Sequence, residues 1–185
     1  LQVETTETTE TPEVPSLFKD DFSGDFNWYK KDASTVTGTF VKNDTEETMD
    51  IDIDWSAEGE SFDISVALPE AVNISAGVSM QLKVKIPKSI VDAGSLIIQP
   101  FIEDENYTPG YTQWLREEFV GDEWVTITIK DIGPQFTYGY LGDGFDFTKL
   151  KGIGLQIQAQ GGVPAISTIQ VAEISIIAPI DVVEK

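Results

Sequence analysis

Neither cysteine nor histidine occurs among the 185 residues. Their absence excludes thiol nucleophiles, zinc sites built on Cys or His, and every catalytic triad that needs an imidazole base. It also excludes a disulfide framework, so stability must come from a packed core or a bound metal. Cations are scarce: 12 Lys and Arg stand against 32 Asp and Glu, a formal net charge of −20. Such a surface repels phosphate backbones and anionic lipid alike, which makes nucleic acid and membrane poor partners. No apolar run approaches the roughly 20 residues of a membrane helix. The first residues carry neither a basic region nor an apolar signal core, and the chain reads as a processed or excised module. Helical spacing is almost missing too. Lys88 to Ala93, after Pro87 and before Gly94, is the one stretch with helix start and stop signals.

What is present is organised by a period of two. Leu1 to Ser16, LQVETTETTETPEVPS, repeats Thr and Glu, ends in prolines and has almost nothing to bury, so it reads as a linker. From Leu17 to Ile180 apolar and polar residues alternate. Met49, Ile51, Ile53 and Trp55 are interleaved with Asp50, Asp52 and Asp54, and Phe62, Ile64, Val66 and Leu68 with Asp63, Ser65 and Ala67. The alternation returns around Val78 to Ile86, Leu96 to Ile102, Val125 to Ile129, Ile153 to Ala159, and Ile174 with Ile176. With Leu17 to Phe22 and Ser34 to Val41 added, about ten short strands separated by Gly, Pro, Asn and Asp turns predict an all-β sandwich of jelly-roll type. Gly133 to Gly144 reads as a long surface loop, and residues 181–185 as a tail.

If the apolar registers face the core, the opposite registers expose Gln81 on one strand, Gln99 and Phe101 on another, and Gln156 and Gln158 on a third. An amide both donates and accepts, as sugar hydroxyls do, and a flat aromatic ring suits the CH face of a pyranose. Ser95 to Glu118 is the densest source of such groups, adding Tyr111, Trp114 and Arg116. Trp28 and Trp114 follow turns and lack an obvious core partner, which makes them candidate stacking platforms, with Tyr111 as the substitute. Trp55 shares the parity of core residues, so core packing and ligand contact both stand. Paired carboxylates could hydrolyse glycosides. Asp50, Asp52 and Asp54, or Glu117 and Glu118, are instead expected to be solvated faces in so acidic a chain. Three Asn-X-Ser/Thr sites, at Asn43, Asn73 and Asn106, matter only for a eukaryotic secretory source.

The order LFKDDFSGDFNWY, SMQLKVKIP, SLIIQPFIEDENYTPGYTQW, DEWVTITI, FTKLKGIGLQIQA and STIQVAEISII resembles the non-catalytic carbohydrate-binding modules with a β-jelly-roll fold. Within that group it is most similar to carbohydrate-binding module family 27, which binds β-mannans and accompanies mannanases. The resemblance places Trp28 and Trp114 at two of the family's tryptophan positions, with Trp55 or Phe62 at the other. It implies a structural calcium between the first and last strands, with Asp21 and Glu173 as ligands; Asp20 is an alternative to Asp21. The expectation is a secreted or cell-surface module that binds a soluble β-linked plant polysaccharide and targets a covalently linked hydrolase to it. Mannan or glucomannan comes first, then β-glucan or xyloglucan. The rivals are a small jelly-roll glycanase or lyase and a structural or adhesion module.

Overall fold

A computed structural model describes residues 15–179. The linker read over residues 1–16 and the tail over 181–185 lie outside the described residues, except for Pro15 and Ser16. Pro15 accepts a backbone hydrogen bond from Ala178, and Ser16 opens the first strand.

In chain order the elements are β1 (Ser16–Asp20), β2 (Trp28–Lys30), β3 (Gly38–Asn43), β4 (Thr48–Ile53), β5 (Ser61–Val72), β6 (Val78–Lys85), α1 (Lys88–Ala93), β7 (Leu96–Asp104), β8 (Pro109–Tyr111), β9 (Trp124–Ile132), β10 (Tyr140–Leu141), β11 (Leu150–Ala159) and β12 (Ile169–Ile177). All strand pairings are antiparallel, and the strands form two six-stranded sheets. The first runs β3-β4-β12-β6-β9, with β1 sharing the β12 edge beyond β4. The second runs β10-β8-β7-β11-β5-β2. The nearly all-β sandwich expected from the alternation is what forms. The helix also forms where expected, closed by Gly94 at φ 60°, a left-handed position that glycine adopts without strain.

The alternation becomes two faces per strand. Met49, Ile51 and Ile53 from β4 and Met80, Leu82 and Val84 from β6 are buried, together with Ile64 and Val66 from β5, Ile98 and Ile102 from β7, and Leu155 and Ile157 from β11. Removing such side chains from water, at roughly 25 cal/mol per Å² of apolar surface, is the main force holding the sheets face to face. Trp55 and Phe62 both belong to this core, which settles the open question at Trp55. The glycine-rich stretch from Gly133 is less of a surface loop than expected, because it contributes β10 and packs Phe136 and Tyr138 against the core.

Candidate functional site

The outer face of the second sheet carries cross-strand rows that only the register makes visible. One row reads Tyr140, Tyr111, Phe101, Gly154, Ser65, Tyr29, each residue paired with the next across neighbouring strands. With strands about 4.8 Å apart, its five steps span about 24 Å. A second row reads Gln99, Gln156, Asp63, and a third Pro109, Glu103, Gly152, Ala67. Aromatic rings therefore rim a floor built largely from residues with little or no side chain.

Tyr111 packs against Phe101 with ring centroids 5.3 Å apart and against Tyr140 at 6.4 Å. Phe101 is on the predicted face, yet it is only 1 % exposed, so it is a covered platform base and not the open surface expected of it. Its ring lies over Gly154. A Cβ there would sit 2.3 Å from Phe101 Cζ and 2.4 Å from the Ile64 carbonyl, which is why this central position carries no side chain. Tyr140, at 58 % exposed, and Tyr29 on the far edge strand offer free ring surface. Beyond them a groove of about 310 Å³ opens between Tyr29 and Tyr107, lined by Ala67, Glu103, Lys151 and Gly152.

The polar groups of this face are mostly committed. The Lys31 ammonium reaches from just after β2 to the Glu103 carboxylate on β7, and lies 5.8 Å from the Phe101 centroid and 6.0 Å from that of Tyr29. The Ser65 hydroxyl shares its one proton between the Ile153 carbonyl at 3.0 Å and Glu103 at 3.4 Å. Gln99 is buried and gives Nε2 to the Thr112 carbonyl at 2.8 Å; Gln156, half-buried, gives Nε2 to Asp63 Oδ2 at 3.3 Å. Asp63 itself is 1 % exposed and its Oδ1 is buried without a hydrogen-bond partner. Burial pushes its pKa up to about 6, against the partial relief given by Ser61, Gln156 and the Lys31 charge. The Tyr111 phenol is raised by burial and by the neighbouring Asp63, Glu103 and Tyr140.

Of the residues read from the sequence, Gln99, Phe101, Tyr111, Gln156 and Gln158 share this face. Gln158 sits at its margin, its amide 3.5 Å from the Gly59 carbonyl. Gln81 does not belong with them. It lies on β6 in the other sheet, where it donates to Thr128, because parity alone cannot say which sheet a strand joins. Trp114 is exposed beside Leu115, whose backbone bridges to Ile98 at the start of β7. Arg116 is tied to Gln160 through Nη2, at 3.1 Å to its carbonyl and 3.0 Å to Oε1. Trp28 is not a platform across this groove. It pairs with the inward-facing Val66, packs at a tilt against Phe22 and donates Nε1 to Asp20 at 2.7 Å, lining a separate 170 Å³ pocket at the sandwich edge. Sequence reasoning missed Tyr29, Lys31, Glu103 and Tyr140 as members of the face. Asp63 was recognised only as an alternating polar residue.

The carboxylates proposed for calcium do come together, but around a lysine. Lys19 Nζ lies 3.6 Å from Asp21 and 3.8 Å from Glu173, and Asp20 spends its oxygens on the Phe22 amide and Trp28. With an ammonium already between the two ligands, this donor set does not fit a divalent cation, and no cluster of three candidate ligands occurs among the described residues.

No protein-family profile matches the chain, and no curated protein sequence matches it. Solved structures do. The family 11 carbohydrate-binding module of the cellulosomal cellulase Lic26A-Cel5E of Clostridium thermocellum is similar at a TM-score of 0.57 and 17 % identity, over 92 % of this chain and 97 % of that one. The xylan-binding module CBM15 follows at 0.56 and 14 %, over 86 % and 94 %. The family 11 module from Clostridium thermocellum in complex with a β-1,3-1,4-mixed-linked tetrasaccharide gives 0.54 and 18 %, over 86 % and 93 %. The fold is thus one that carbohydrate-binding modules use, and at these identities the likeness extends to the fold alone.

Proposed function

We propose that the chain is a non-catalytic carbohydrate-binding module that holds a neutral β-linked glycan chain across the second sheet, over the row from Tyr140 to Tyr29. The observation that carries this reading is the row itself: exposed tyrosines at both edges, a glycine-lowered centre and glutamine amides alongside. Tyrosine rings stack on sugar CH faces while amides and hydroxyls take the hydroxyl groups, and a long shallow face suits a chain more than a single sugar. Similarity in fold to modules that bind xylan or a mixed-linked glucan supports the ligand class. It widens the choice beyond family 27 and mannan, so β-1,3-1,4-glucan and xylan stand beside mannan and glucomannan as ligands to test. The role is to concentrate a linked hydrolase on its substrate outside the cell, an effective-concentration effect that needs no chemistry here. Affinity electrophoresis through gels cast with each glycan tests the reading. Retardation by at least one is expected, and free migration through all of them overturns it.

One observation favours a second reading. Asp63 and Glu103 share this face in different environments, one desolvated and one ion-paired, as acid and nucleophile pairs do. Both are buried, and Glu103 is spent on Lys31 and Ser65. Release of reducing sugar by the isolated protein, lost in Glu103→Gln, would establish catalysis.

A further inference from the structure

The Gln99, Gln156, Asp63 row has an asymmetry in what fixes its two amides. Gln99 Nε2 faces the Thr112 carbonyl, an acceptor at every pH, so its orientation is permanent. Gln156 Nε2 faces Asp63 Oδ2, which is an obligate acceptor only while Asp63 is ionised. A proton on the partnerless Oδ1 would be a buried donor with nothing to accept it, so protonated Asp63 donates from Oδ2. The amide of Gln156 then does better rotated by half a turn, giving Oε1 to the new proton and turning Nε2 outward.

We propose that Asp63 is a positioning residue for the glycan site: its protonation state sets whether Gln156 offers an acceptor or a donor to a bound sugar, and glycan affinity falls when Asp63 takes up a proton. The proposal rests on the glycan reading above and goes beyond it by assigning that site a pH response. Asp63 is suited to the role by place. It is 1 % exposed, its Oδ1 has no partner to hold the charge, and its Oδ2 meets the half-buried Gln156 on the outer face of the sheet. The charged and titratable groups that act on it are Lys31, just beyond the neighbouring β2, and Tyr111 on β8, while the other neighbouring strand, β11, contributes only the neutral Gln156. Burial raises the Tyr111 phenol and Lys31 is paired with Glu103, whereas Asp63 changes charge at about 6. With Asp63 ionised, the negative floor turns a sugar hydroxyl so that its proton points inward, toward the outward Oε1 of Gln156. With Asp63 protonated, the hydroxyl has to turn round to accept from Nε2 and loses the attraction of the negative floor.

Two readouts test this together. In the ligand-free protein, the Gln156 side-chain amide resonances should titrate with a midpoint near pH 6, and should stop titrating in Asp63→Asn. Calorimetry with the retarding glycan, soluble β-1,3-1,4-glucan first, should give roughly two- to tenfold tighter binding at pH 8 than at pH 5, the worth of one hydrogen bond. Asp63→Asn should bind equally at both pH values, at the level of the unsubstituted protein at pH 5, because an asparagine amide can donate to Gln156 permanently. A protein that binds glycan while its Gln156 amide ignores pH, or an Asp63→Asn variant that keeps the pH slope, overturns the inference. A titrating amide in a protein that binds no glycan at either pH overturns the glycan reading itself.

Discussion

Replacing Asp63 with asparagine should stabilise the protein at pH 8. The folded protein holds Asp63 with a pKa of about 6, raised from 3.8 by burial. Between those values the folded state binds a proton that the unfolded state has released. Stability is therefore fully present below about pH 3.8 and is lost as pH rises through about 6, the opposite of a salt-bridged carboxylate. At 1.36 kcal/mol per unit, a difference of about 2 units amounts to about 3 kcal/mol. Partial screening by solvent reduces this to about 2 kcal/mol. Asparagine avoids the charge while keeping the shape, so its gain over the unsubstituted protein should be near this figure at pH 8 and vanish near pH 4. Urea denaturation of both proteins between pH 4 and 8 measures the difference, and the other carboxylates cancel in the comparison. Equal stability at pH 8, or a loss there as large as at pH 4, would refute the idea that Asp63 is a desolvated charge.

The other predictions concern the frame of the site. Gly154→Ala pushes a methyl group into the Phe101 ring and the Ile64 carbonyl, and should cost about 1–3 kcal/mol in chemical denaturation while weakening glycan binding. Lys31→Met leaves Glu103 buried without its cation and should destabilise by about 3 kcal/mol at neutral pH, with most of that recovered in the Lys31→Met, Glu103→Gln double variant. Trp28→Ala removes the Asp20 hydrogen bond and the Phe22 contact; it should lower stability by about 3 kcal/mol yet leave glycan retardation of the folded protein unchanged. Because Lys19 stands between Asp21 and Glu173, neither calcium nor chelator should move the melting temperature, and a rise of several degrees with calcium would show that the lysine is displaced.

The sandwich was legible because half-buried strands write their geometry as a period of two, and β4, β5, β6, β7 and β11 are long enough to show it. β2, β8 and β10 were not legible, since strands of two or three residues have no period to read. These are strands on the tyrosine-bearing flanks of the second sheet, so of its edge tyrosines Tyr111 was read from residue type alone and Tyr29 and Tyr140 went unseen. Parity placed Gln99, Phe101 and Gln156 on one side of their strands correctly. It could not assign strands to sheets, which is how Gln81 came to be grouped with residues on the far side of the core. Pairing between β5 and β11, whose partners Asp63 and Gln156 lie 93 positions apart, is invisible in one sequence, and Asp63 could not be placed beside Gln156 without it. Residue type alone could not place a side chain either: Trp28 lies at the sandwich edge, while Tyr29 next to it lines the groove.

On this proposal the second sheet, and not the first, meets the glycan. Affinity electrophoresis in β-1,3-1,4-glucan, xylan and glucomannan gels measures it with two variants. Tyr111→Ala, on the aromatic row, should lose at least tenfold in apparent affinity, whereas Trp124→Ala, at an exposed aromatic on β9 of the opposite sheet, should migrate like the unsubstituted protein. Retardation that survives Tyr111→Ala and disappears in Trp124→Ala would contradict the account.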